Sequence, residues 1–178
     1  MFEECKVLEK DAKELEKEDP TAAVKMYKKA ADCYNKNERP KDGISCLAKA
    51  AKLLRDSAKS NEDPDAALKI YENASEIYEE IGKQSESEKV MKEAYNKFIE
   101  SAKNLRAEAK KIEDPDSAEE KLEKASEYAS EGKDEELSKA CWIDSGHQFR
   151  KKAEGIEDPR EALEVYKHAV QNYEKGEN

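Results

Sequence analysis

The chain has 178 residues, of which 43% are charged, 37% apolar and only 7% aromatic, with a formal net charge of −10. That length admits one ordinary domain or a short repeat array, and a chain rich in Ala, Glu, Lys and Leu speaks for helix and against a large aromatic core. The acidic balance repels phosphate backbones and anionic lipid, which excludes nucleic acid as an expected partner, and no apolar run approaches the roughly 20 residues of a membrane span.

The first segment, "MFEECKVLEK", is charged from its third residue, so it does not read as a signal segment. Phe2, Cys5, Leu8, Ala12 and Leu15 instead recur at helical spacing and predict one amphipathic helix. "EDPTAAVKMY" follows at Glu18 and returns as "EDPDAALKIY" at Glu62, "EDPDSAEEKL" at Glu113 and "EDPREALEVY" at Glu157. Such self-similarity marks stacked supersecondary units. Seven residues past each proline stand Tyr27, Tyr71, Leu122 and Tyr166; ten past stand Ala30, Ala74, Ala125 and Ala169; fourteen past stand Tyr34, Tyr78, Ala129 and Tyr173. Those offsets keep to one face of a 3.6-residue helix.

The tripeptide has a mechanical reading. Asp caps the free N–H groups of a first turn, Pro suits the first helical position, and Glu places negative charge near the positive helix end. EDP is therefore read as punctuation and not as a catalytic acid pair. Asn35, Asn37 and Pro40 stop the first of these helices, and Gly82 and Gly132 are expected to close the next two in left-handed conformation.

A second helix then runs up to the next EDP. Its buried stripe is read from Leu47, Phe98 and Trp142, from Leu54, Leu105 and Phe149, and from Ala58, Ala109 and Ala153. Trp142 is expected in the core. The spacing of the second and third EDP exceeds the others by close to two helical turns, which predicts one long helix from about Gln84 to Ile112. The fold class is all-α: a right-handed α-solenoid of about four antiparallel hairpins in a single domain over residues 1–178, with units of about 1–37, 38–82, 83–132 and 133–178.

The four cysteines, Cys5, Cys33, Cys46 and Cys141, show no framework spacing and are expected as reduced, buried thiols of a cytoplasmic protein. Chemistry-bearing patterns fail one by one. "EIGKQ" lacks the upstream glycine of a phosphate loop, and Cys141 with His147 makes no metal set. Ser145 and His147 have no acid partner in reach of a triad argument, and His168 reads as a flank residue. No catalytic residue, cofactor or metal is expected, and the chain is read as a non-enzyme.

One pattern survives as a candidate site. Arg55, Arg106 and Arg150 each stand seven residues before an EDP, with Lys59, Lys103, Lys110, Lys111, Lys151 and Lys152 nearby. Arg55, Lys59, Lys103, Arg106, Lys110, Arg150 and Lys151 are the candidate partner-binding residues, suited to an acidic helical protein. The plainer reading is that cations complement helix C-termini or pair with neighbouring EDP loops.

"AAVKMYKKAADCY" with "SCLAKAAKLL", and "AALKIYENASEIYEEIGK", resemble tetratricopeptide-like hairpins, in units longer than that repeat's usual 34 residues. The rhythm is most similar to the SNAP proteins, the soluble attachment factors of membrane fusion, over nearly the whole chain. The resemblance implies a protein-binding adaptor that engages a helical or coiled-coil, SNARE-like partner, with an AAA ATPase as a further partner. It also implies that the C-terminal ATPase-stimulating bundle and the apolar N-terminal loop of SNAPs lie outside this chain. A peptide-gripping co-chaperone, for which Lys25, Lys28 and Lys29 are a partial match, is one alternative. A self-associating regulatory subunit using Phe2/Val7 and Val165/Val170 is another; a monomer is the expectation.

Overall fold

The computed structural model describes residues 2–177, and over them the chain is all-α. The helices are α1 (Phe2–Leu15), α2 (Pro20–Lys36), α3 (Pro40–Ser60), α4 (Pro64–Glu80), α5 (Gln84–Ala109), α6 (Pro115–Glu131), α7 (Glu135–Glu154) and α8 (Pro159–Glu177). Each EDP proline is the first residue of its helix. The aspartate ahead of it caps as expected: Ala22 N–H donates to Asp19 Oδ1 at 2.9 Å, Asp65 N–H to Asp63 at 3.1 Å, Ser117 N–H to Asp114 at 3.0 Å and Arg160 N–H to Asp158 at 2.7 Å.

Helix ends follow two chemistries. Gly82 takes the left-handed conformation, with φ of 72°. Gly132 does not: its φ is −72°, and Lys133 takes the left-handed position at 63°. Gly132 is small for another reason, since a Cβ there would lie 2.6 Å from Ile99 Cγ1 and 3.0 Å from the Tyr95 carbonyl oxygen. The residue lets α6 end against α5. Helix α5 has 26 residues and stops at Ala109, short of the expected Ile112. There Lys111 N–H turns to Glu108 O and Ile112 N–H to Ala109 O, a tightened last turn that uses up carbonyls the helix leaves open.

Two compact units divide the chain, Met1–Ala94 and Tyr95–Asn178. In the first, α1 packs on α2, α2 on α3 and α3 on α4. Its core is built from small residues, among them Ala30, Ala50, Ala58 and Ala74, with Tyr27, Tyr34, Tyr71 and Tyr78 supplying volume between them. Alanine lets helix axes approach closely, and the tyrosines bury their rings while their hydroxyls reach the rim. Tyr27 donates to Glu16 at 2.5 Å and Tyr34 to Glu9 at 2.9 Å. In the second unit, α6 packs on α7 and α7 on α8. Ala109, Leu122, Ala125 and Cys141 form one cluster there, Ala102, Ala129 and Leu137 another, and Phe98 meets Tyr128 edge-on at 5.4 Å.

Two expectations are corrected. Cys5 and Cys33 are joined in a disulfide between α1 and α2, with Cα atoms 5.4 Å apart, so only Cys46 and Cys141 are free thiols among the described residues. The pair lies 28 residues apart in sequence, and only the packing of α1 on α2 brings the two positions together. Trp142 is half-buried and not core, unlike its counterparts Phe98 and Leu47. Its ring lies at the edge of α7 beneath the Lys175 ammonium, 3.8 Å from the centroid, so a cation from α8 covers a face that apolar atoms were expected to cover.

Candidate partner-binding surface

In the first unit, Arg55 on α3 grips Glu93 on α5 with both arms: Nε donates at 2.8 Å and Nη2 at 2.5 Å. Lys59 approaches the same carboxylate at 3.4 Å, and Glu86 lies 3.8 Å from Arg55 Nη1. A bidentate guanidinium–carboxylate pair fixes orientation as well as charge. The hydrogen bond from Arg55 holds the Glu93 carboxyl below the usual range against the opposing effect of burial.

The second unit repeats this construction. Arg106 on α5 donates from Nε to Asp144 Oδ2 on α7 at 2.6 Å, and Lys110 stands 3.3 Å from the same oxygen. Burial pushes the Asp144 carboxyl up, but hydrogen bonds from Arg106 and Lys110 outweigh it and leave the group below its ordinary value. Arg106 rises in turn, chiefly through that hydrogen bond.

The arginines expected as a binding stripe therefore divide. Arg55 and Arg106 each couple one pre-EDP helix to the next, and neither pairs with an EDP loop. Arg150 is exposed and, among the described residues, pairs with Glu154 on its own helix at 3.5 Å. Lys103 and Lys151 face solvent and make no ion pair among the described residues. Lys151 lines a cleft of about 1040 Å³ in the second unit together with Lys110, Lys111, His147 and Lys152. Inside it Lys110 is held by Asp144, and Lys152 reaches Asp116 at 2.9 Å. The acidic partners escaped the sequence reading, although a signal existed: both arginines find their carboxylate 38 residues downstream.

A polar network on α6, α7 and α8 was also missed. Glu119 accepts from Asn172 at 2.7 Å and lies 2.9 Å from His168 Nε2, and Asn172 donates to Ser145 Oγ at 3.0 Å. His147 Nδ1 and the Tyr173 hydroxyl are 2.8 Å apart. These side chains join α6, α7 and α8.

A scan against protein families matches residues 6–94 to SNAP, the soluble NSF attachment protein family. The chain belongs to the SNAP family. The matched residues span α1 to the middle of α5, which takes in the Arg55–Glu93 pair and the alanine–tyrosine core. SNAP-family proteins are non-catalytic adaptors of membrane trafficking that work through protein partners such as SNAREs and NSF. No curated protein matches this SNAP-family chain. Among solved structures it is similar to the "DHF58 filament", at 17% identity over 99% of this chain and 95% of that one, with a TM-score of 0.28. It is also similar to the "DHF119 filament", at 21% identity over 98% and 96%, with a TM-score of 0.27. Among the described residues, no helix is long and apolar enough to cross a membrane.

Proposed function

We propose that this chain is a cytoplasmic, monomeric scaffold that binds a helical or coiled-coil protein of the SNARE type, in a pathway where an AAA ATPase remodels the complex. The single observation that carries the reading is the SNAP match over residues 6–94. In this reading the hairpin units of about 1–37, 38–82, 83–132 and 133–178 are antiparallel, wind right-handed and form one domain, and their contact with the partner is shape complementarity with charge steering. Lys103, Arg150 and Lys151, which project to solvent, do the steering. Arg55 and Arg106, with Lys59 and Lys110 beside them, hold the carboxylates that keep those helices in register.

Binding to a purified, assembled SNARE four-helix bundle tests this, with the wild type beside a Lys103→Glu/Lys151→Glu variant whose helicity is first checked by circular dichroism. Wild type should bind and the variant should lose about tenfold in affinity, mostly through a slower on-rate at low salt. Equal affinity of the two proteins would remove the lysines from the site. No binding by the wild type would sink the SNARE-type partner.

A further inference from the structure

The repeats make the same two contacts twice, and among the described residues both are open on α7 and α8. The first contact joins a post-EDP helix to the helix that follows it. Ser75 on α4 lies 2.7 Å from Ser87 on α5, and Ser126 on α6 lies 2.7 Å from Ser138 on α7, each pair 12 residues apart. The second contact is the arginine grip, Arg55 on Glu93 and Arg106 on Asp144, each 38 residues apart. One incoming helix satisfies both, because Glu93 stands six residues after Ser87, as Asp144 does after Ser138.

On α8, the position of Ser75 and Ser126 is held by Val170, which is 52% exposed against 6% and 5% for the serines. The position of Tyr27, Tyr71 and Leu122 is held by Tyr166, which is 38% exposed where the other three are 2% or less. Leu163, one turn before it, is 54% exposed, whereas its counterpart Val24 is 8%. On α7, Arg150 stands where Arg55 and Arg106 stand, and among the described residues its ion pair is with Glu154 of its own helix.

We infer that the outer side of α7 and α8 is a docking surface for one amphipathic helix of a partner protein. Its chemistry is set by what the equivalent surfaces already hold. It has a small residue to lie on Val170, an Asp or Glu six residues later to reach Arg150, and a buried stripe at three, seven and eleven residues past the small one. In α5 that stripe is Val90, Ala94 and Phe98, and in α7 it is Cys141, Ser145 and Phe149. Charge complementarity commits the surface to such a helix and not to an apolar face in general, because Arg150, held at 3.5 Å by Glu154 of its own helix, stands where Arg55 and Arg106 take an acid from the incoming helix. The inference shares Arg150 with the scaffold reading but rests on the solvent face of α8, so Leu163→Glu/Val170→Glu tests it without touching the steering cations.

The test uses the full chain and a labelled synthetic peptide of its own residues 84–109, which carries the pattern as Ser87, Val90, Glu93, Ala94 and Phe98. Fluorescence anisotropy should show saturable binding. Leu163→Glu/Val170→Glu in the chain, two exposed positions that leave the core intact, should weaken it at least about tenfold. Arg150→Glu should weaken it similarly, and a peptide carrying Glu93→Lys should restore binding to that variant. No saturable binding overturns the proposal. Binding indifferent to Leu163, Val170 and Arg150 also overturns it, because the peptide is then docking elsewhere. A dimer in light scattering that Leu163→Glu abolishes would overturn it too, giving the face to a second copy.

Discussion

At the scale of single residues, the pairs Arg55–Glu93 and Arg106–Asp144 link stability to pH. Both carboxyls are held below their ordinary values in the folded chain, Glu93 chiefly by the Arg55 hydrogen bond and Asp144 by Arg106 and Lys110 against burial. A depressed folded value means that the stabilisation is present above the unfolded carboxylate range and is lost as pH falls through it. Denaturant midpoints should therefore hold from pH 7 to about pH 5 and drop below that. Asp144→Asn should flatten the acid limb while costing about 1–3 kcal/mol at pH 7, because Arg106 then loses its charged acceptor. An unchanged acid limb in that variant would show that other carboxylates set it. The arginines were legible from their position before each EDP. Their partners were not, because Glu93 and Asp144 look like any other acid on a helix until the next helix is laid beside them.

At the scale of elements, the four aspartate caps and the prolines that follow them set where helices begin, and these are local facts with local causes. The bond between Cys5 and Cys33 works differently, since it staples α1 to α2. Closing a loop between residues 28 apart removes unfolded-chain entropy worth about 3–4 kcal/mol in the chain-entropy model. Treatment with a dithiol reductant should lower the thermal midpoint, and Cys5→Ser should match the reduced wild type. Hydrogen exchange should quicken in α1 before it does in α3. The two free thiols should resist alkylation in the native chain, as Cys46 and Cys141 are fully buried and burial pushes each up to about 11. If reduction left the midpoint where it was, the staple would be an ornament of α1 and not part of its hold.

At the scale of the molecule, each helix is steadied by its neighbours in sequence, so stability should grade along the chain. Helix α7 packs against both α6 and α8, whereas α8 leaves Leu163, Tyr166 and Val170 in solvent. Amide exchange should be faster in α8 than in α7, and the helix-matching peptide described above should slow it. Equal protection of the two helices would mean that they open as one unit. The SNAP match points toward protein partners.

What the sequence by itself determined was whatever depends on neighbours within about one helical turn. That covers the all-α class, the start of each EDP helix, and the buried face read from Ala30, Ala74, Ala125 and Ala169. The family was legible for a related reason, because the alanine–tyrosine rhythm is itself a local pattern repeated. Only the tertiary structure decided the rest. It brought Cys5 to Cys33, covered Trp142 with Lys175, turned two of three arginines into inter-helix clamps, and left Tyr166 open where Tyr27 and Tyr71 are buried. A helical period says which face of a helix is apolar. Which side chain lies across from it depends on the offset between two helices, and no single helix carries that offset in its own residues.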